Sequence, residues 1–321
     1  AILISEIEIW PEQIFQAQAH RVPLILVNAQ YLERSYARDI RASSWRFRAI
    51  SQVRCACVKS ETHAARFRAA GVQEIVVTGE LRFDQPRPTT LIETGLKNRA
   101  LLASMRPTIG FVSIIDGEDS LCLEAMAQLK QRALESGQPT PLFIYVPRAP
   151  ERFDDVYRML ISRDFVVARR SVIFDATFQA QGNSQALSSA TSAIDVVLGD
   201  SMGEMYGYLA MADRVVVGGS FAPKGAHNIS EAIALGKPVY TGPFLHTIEF
   251  PAVEAEAAGV LTVVSQSSDA LVHALSQPAP DLEAITAFFH AQTGATERTV
   301  AAITRILEAD ACQTKSAHDN C

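Results

Sequence analysis

Val215-Val216-Val217-Gly218-Gly219-Ser220, followed by Gly225-Ala226-His227-Asn228-Ile229-Ser230-Glu231, is the stretch on which the reading of the fold turns. A run of apolar β-branched residues suits a buried strand. It ends in a glycine-rich turn, and a helix is predicted over Asn228–Leu235. In parallel sheets ligands bind outside the carboxyl ends of the strands. Glycines let the backbone approach a ligand, and N–H groups at a helix start favour anions. Gly219, Ser220, Asn228, Ile229 and Ser230 are therefore candidate binding residues. His227 and Glu231 stand four apart and are predicted to project from one helical face. Glu231 can accept hydrogen bonds from a ribose diol. A capped helix behind a tight turn, with no ligand, is the competing explanation.

Upstream, the same strand–turn–helix pattern recurs. Leu198-Gly199-Asp200-Ser201-Met202-Gly203-Glu204 ends a strand, and Asp200 or Ser201 suits an N-cap, with Glu204 as the acid of a capping box. The functional alternative is that the N–H groups of Met202, Gly203 and Glu204 face a nucleotide. Tyr145-Val146-Pro147-Arg148-Ala149-Pro150-Glu151-Arg152-Phe153 runs from a strand into a Pro-rich turn. Arg148 is placed at the sheet edge, where its planar fork suits a phosphate or a cytosine carbonyl. A surface arginine without a ligand is the bland alternative there.

Around these turns, apolar runs and helical patterns alternate. Strands are expected at Ile2–Ile4, Leu24–Asn28, Val53–Val58 and Ile75–Thr78, then at Thr108–Ser113, Leu142–Val146, Phe165–Ala168, Val196–Leu198, Arg214–Val217, Pro238–Tyr240 and Val260–Val263. Helices are expected between them, including Pro11–His20, Leu32–Ala42, Thr62–Ala70, Ser120–Glu135 and Met202–Met211. The alternation predicts α/β architecture with parallel sheets. Asp84–Arg106, broken by Pro86 and Pro88, is expected to be a linker. The predicted division is residues 1–95, a linker at 96–106, a second domain at 107–280, and closing helices at 281–321. Phe178–Ala193 is expected to be an insertion loop. The opening run Ala1-Ile2-Leu3-Ile4 looks like a strand with nothing before it, which predicts further sequence upstream.

Bulk properties bound the function. The 321 residues favour two domains. The net charge is −6, which argues against a generic polyanion binder. Yet Arg21–Arg68 holds ten Lys/Arg against three Asp/Glu, an excess of +7 that leaves −13 for the rest. Such a basic block suggests an anionic partner met by one face. Arg34, Arg38 and Arg41 fall at helical spacing, with Arg46 and Arg48 nearby. A merely solvated basic helix fits equally well. No apolar run is long enough to span a bilayer. The five cysteines, Cys55, Cys57, Cys122, Cys312 and Cys321, include no CxxC pair. Cys55 and Cys57 are expected to share one face of a sheet as buried thiols. No metal or cofactor is expected.

Taken in order, the motifs resemble the bacterial Kdo (3-deoxy-D-manno-octulosonic acid) transferases of glycosyltransferase family 30. Gly199–Glu204, Pro147-Arg148-x-Pro150-Glu151-Arg152-Phe153 and Gly218-Gly219-Ser220…His227-Asn228-x-x-Glu231 are similar to that family's donor motifs. Ser5-Glu6-Ile7-Glu8-Ile9-Trp10-Pro11 resembles its ETEIWP, Asn28-Ala29-Gln30 with Glu33-Arg34-Ser35 its NAR…ERS, and Gly79–Asp84 its GNLKFD. The resemblance implies a GT-B fold, with two Rossmann-like doubly wound domains facing a cleft and the N-terminal one incomplete. It implies a CMP-Kdo donor and a lipid A precursor (lipid IVA) as acceptor, at the cytoplasmic face of the inner membrane. It implies that Pro147, Arg148, Met202–Glu204 and Asn228–Glu231 hold CMP, and that Glu6 and Arg82 stabilise the transition state. The general base and membrane anchor are implied to precede Ala1.

The chain departs from the pattern in places. STHEGEE reads Ser113-Ile114-Ile115-Asp116-Gly117-Glu118-Asp119, the PRHPER histidine is Ala149, and the GNLKFD lysine is Arg82. Two rivals stand beside the transferase: a GT-B enzyme with another donor such as a UDP-sugar, and a non-catalytic paralogue that binds nucleotide.

Overall fold

The computed structural model describes residues 1–8, 10–41, 45–103, 105–181 and 193–318, with side chains through 309. The chain divides into two compact units, Ala1–Gln85 with His290–Cys321, and Pro86–Phe289. Each is α/β with an all-parallel sheet.

In the first unit, β1 (Ile2–Ser5), β2 (Leu24–Ala29), β3 (Cys55–Val58) and β4 (Ile75–Val77) lie side by side in chain order. Helices α1 (Pro11–Ala19), α2 (Glu33–Arg41), α3 (Trp45–Ile50) and α4 (Glu61–Ala69) supply the connections. Pro11 opens α1, where its missing N–H costs nothing. Strand residues alternate between two cores. Leu24, Leu26, Ala56 and Val58 join Ile14, Ala17, Ala64 and Phe67 on one face. Ile25, Cys55 and Cys57 point the other way, against Ala302 and Ile306 of the long C-terminal helix Ala295–His318. The two thiols thus share a buried face, as their spacing predicts. The helix start is clasped by Asp84, whose carboxylate accepts from Gly294 N (2.7 Å) and Thr296 N (2.5 Å).

The second unit carries β5 (Thr108–Ile114), β6 (Leu142–Pro147), β7 (Val167–Arg169), β8 (Val196–Leu198), β9 (Arg214–Val217), β10 (Val239–Thr241) and β11 (Leu261–Val263). Their order is β11-β10-β9-β5-β6-β8-β7. From β5 the chain first builds outward through β6, then returns to place β9 on β5's other side. The topological switch point is therefore between β5 and β9, where doubly wound sheets open a crevice at the carboxyl ends.

Three expectations need correction. The linker expected over Asp84–Arg106 is largely the helix Thr89–Ala103, and the units part at Gln85–Pro86. Pro86 and Pro88 stand before its first turn, where proline is tolerated. Gly95 sits so close to the helix Met205–Met211 that a Cβ would lie 2.4 Å from Gly207 O. The insertion loop expected at Phe178–Ala193 begins inside the core. Phe178 is fully buried, packs on Phe174 and Tyr208, and its carbonyl accepts from Asn98 Nδ2 at 2.6 Å. Residues 182–192 of that segment, Ile9, Ala42, and the side chains of Cys312 and Cys321 lie outside the described residues. Lastly, residues 290–321 belong to the first unit, so the segment expected to close the chain is divided between the two.

Candidate functional site

At the switch point, the turns after β5 and β9 are fused by one buried carboxylate. Glu118 has no exposed surface. Its Oε2 accepts from Ile115 N (3.1 Å) and Gly219 N (2.8 Å), and its Oε1 from Phe221 N (2.8 Å). The glycines serve this fusion. A Cβ on Gly218 would lie 2.4 Å from Ser113 O, and Gly219 adopts φ +79° with its Cα turned to Gly225 O and the His227 ring. Gly219, one of the candidate binding residues, has its N–H taken by Glu118. Ser220 is also turned inward. Its hydroxyl donates to Val217 O (2.7 Å) and accepts from Gly242 N (2.8 Å), tying β9 to β10.

His227 follows in the turn, with its N–H on Gly218 O at 3.0 Å. The helix starts only at Ser230, because the Asn228 side chain accepts from Ser230 N (3.0 Å) and ends the turn. His227 and Glu231 therefore do not share a helical face. Burial, and then the positive charge of Arg148, hold the His227 pKa below its ordinary 6.5, while the Glu118 carboxylate pulls it up. Arg148 is placed by its own N–H on Ile114 O (2.9 Å) at the end of β6. Its guanidinium is exposed and has no carboxylate partner among the described residues. Pro147 is buried behind it, in register with Ile114. Arg148, after β6, thus stands close enough to His227, after β9, for its charge to act on the imidazole. Ile229 and Ser230 are buried, and the Ser230 N–H is taken by the Asn228 side chain.

The turn after β8 joins from the next strand, with Gly199 N on Tyr145 O at 2.8 Å. No capping box forms there. Glu204 pairs with the buried Arg170, whose Nε and Nη2 reach its two carboxylate oxygens at 2.6 and 2.5 Å. Ser201 Oγ bonds to the same carboxylate and to Tyr208. Asp200 accepts from Ser171 N (2.8 Å) and Oγ (2.6 Å) instead of capping. This leaves exposed Met202 and Gly203, at φ +80°, as the outward face of the turn. Glu231 lies near Tyr206, whose hydroxyl pKa is raised by burial and then by that carboxylate.

In the first unit, the carboxyl ends of β1–β4 gather a second polar cluster. Glu6, at φ +61°, accepts from Gln30 Nε2 (3.0 Å) and Lys59 Nζ (3.4 Å), and Arg82 Nη2 stands 3.9 Å away. Lys59 also meets Glu80 at 2.7 Å, with both side chains almost fully buried. Asn28 Nδ2 completes Glu80 at 3.0 Å. The cluster brings Glu6 and Arg82 together. It adds Lys59 and Glu80, which sequence reasoning passed over.

Residues 1–85 match the family model described as 3-deoxy-D-manno-octulosonic-acid transferase (kdotransferase). The 3-deoxy-D-manno-octulosonic acid transferase of Bordetella pertussis is 33% identical over 311 residues, covering 94% of this chain and 68% of that protein. The chain belongs to the 3-deoxy-D-manno-octulosonic acid transferase family. The Haemophilus influenzae transferase is 31% identical, over 85% of this chain and 60% of its own length. This chain therefore spans about two thirds of these transferases. For the fold alone, UDP-GlcNAc 2-epimerase from Neisseria meningitidis superposes with a TM-score of 0.56 at 14% identity, over 95% of this chain and 75% of that one. Within the transferase pattern, Ser113, Gly117 and Glu118 keep the matching residues of the Ser113–Asp119 segment. Arg170, which holds Glu204, left no trace in the motif search because the pair is 34 residues apart.

Proposed function

We propose that the chain forms the donor-binding side and part of the acceptor side of an inverting transferase that moves Kdo from CMP-Kdo to a lipid A precursor. The observation that carries this reading is the placing of Arg148, which has no carboxylate partner among the described residues, and His227 at the ends of neighbouring strands about the β5/β9 switch point, close enough for the arginine's charge to act on the imidazole. A nucleoside monophosphate matches it. The phosphate is placed against the Arg148 fork and His227, and the ribose and base extend toward Glu231 and the Met202–Gly203 turn. Glu204 contributes through its backbone, since Arg170 holds its carboxylate.

In the reaction, an acceptor hydroxyl attacks the anomeric carbon and the bond to CMP breaks with its electrons going to the phosphate. Arg148 receives that charge, in a site where preorganised donors cost no reorganisation. Glu6, fixed by Gln30 and Lys59, and Arg82 take the role that the family resemblance implies for them, stabilising the transition state. The acceptor proton goes to a carboxylate acting as general base.

Calorimetry tests the donor. CMP is expected to bind at least tenfold tighter than UMP or UDP. Equal or tighter UDP binding would favour a UDP-sugar enzyme. Release of CMP from CMP-Kdo with lipid IVA tests the transfer, and its failure with intact CMP binding would favour a non-catalytic paralogue.

A peripheral membrane contact accompanies this function. Arg34, Arg38 and Arg41 are all exposed on α2, and Ile40 and Trp45 stand exposed beside them. Cations mixed with exposed apolar residues suit an anionic lipid surface. Arg34→Gln/Arg38→Gln/Arg41→Gln is expected to lower binding to vesicles containing anionic lipid. Unchanged binding would remove this contact from the proposal.

A further inference from the structure

Glu118 is a buried acid with no ligand-facing surface, yet every hydrogen bond its carboxylate makes goes to a backbone N–H of the two turns that form the crevice. A carboxylate buried this deeply costs several kcal/mol unless it is fully bonded. Three backbone donors, two of them about a hundred residues away along the chain, meet that cost. They hold the β9 turn closed from within, as a bound anion would from outside. The closed turn then fixes two things. The Gly218 carbonyl receives the His227 N–H. Gly219 offers a surface without a side chain, against which the imidazole rests, since a Cβ there would meet its ring at 3.0 Å. On the other side, Ile115 N ties Glu118 to the loop after β5, whose Ile114 carbonyl anchors both Arg148 N and Arg152 Nη1. One carboxylate thus sets the spacing between Arg148 and His227.

We propose that Glu118 is a positioning residue for recognition of the donor phosphate. It acts through His227 and Arg148 and touches no ligand itself. The inference rests on the CMP reading above and deepens it.

The test compares CMP with cytidine, which lacks the phosphate, on this chain and on Glu118→Gln. Glutamine offers one acceptor oxygen for three N–H groups and sets an NH2 against at least one of them. Cytidine affinity is expected to stay within twofold, while the CMP-to-cytidine affinity ratio falls at least tenfold. Circular dichroism and the melting temperature report whether the variant is folded. Glu118→Asp, which keeps the charge but is one methylene too short to span Ile115, Gly219 and Phe221, covers the case in which Glu118→Gln does not fold. It too is expected to lower the ratio. An unchanged ratio in a folded variant overturns the proposal. So does parallel loss of CMP and cytidine binding in a folded variant, which reports a purely structural role. If the unmodified chain binds CMP no better than cytidine, the phosphate reading itself fails, independently of Glu118.

Discussion

Arg148 and Gly218 show how differently two residues of one crevice respond to change. Arg148 is exposed and its guanidinium has no partner among the described residues. Arg148→Gln is expected to leave the melting temperature unchanged while weakening CMP binding by about 1.5–3 kcal/mol, roughly 10- to 150-fold, the worth of a charge-assisted hydrogen bond. Gly218→Ala is the reverse. Its methyl would enter the space of Ser113 O and Ile114 Cα, both backbone, which cannot yield as a side chain does. A loss of about 1–3 kcal/mol in urea unfolding is expected. His227 adds a pH signature. Its folded pKa lies below 6.5, so below that value the unfolded chain takes up the proton first. Stability therefore falls as pH drops from 6.5 through the depressed value. His227→Gln is expected to flatten the decline in melting temperature between about pH 7.5 and about pH 5. Arg148 was legible in the sequence because it follows an apolar strand directly, and His227 because it closes the glycine-rich turn after one. Glu118 was not, because its meaning comes from Gly219 and Phe221, which only the β5–β9 pairing brings to it.

Among the elements, strands were more legible than helix starts. Val196–Leu198 and Arg214–Val217 coincide with β8 and β9, since short buried runs between turns leave little choice of boundary. The helix expected from Met202 begins at Met205, and the one expected from Asn228 begins at Ser230. In both, polar side chains bind the backbone or each other and delay the first turn. The helix Thr89–Ala103 was mistaken for a linker because its flanking prolines outweighed its apolar spacing. The ends of β1–β4 carry a further prediction. Lys59→Met would strand Glu80 as a buried charge and cost about 3–5 kcal/mol, whereas Lys59→Gln with Glu80→Gln is expected to recover most of it in chemical unfolding.

For the molecule as a whole, α/β architecture and two units follow from the strand–helix rhythm, but the route of the C-terminus does not. No local pattern announces that Ala302 and Ile306 will cover Ile25, Cys55 and Cys57. Truncation after Gly294 removes that cover. Thiol labelling read by peptide mapping is then expected at Cys55 and Cys57, which stay unlabelled in the intact chain. Cys122, enclosed in the second unit with its thiol pKa pushed well up by burial, is expected to remain unlabelled in both.

The return of residues 290–321 to the first unit also sets an order of assembly. Domains generally form as units while the ribosome feeds the chain outward. Here the strands β1–β4 are made before residues 86–289 but must wait, one sheet face bare, until residues 290–321 are translated. The second unit is complete sooner. The first unit is thus begun before the second and matures after it, and nascent chains halted near residue 290 should carry a finished second unit and an unfinished first.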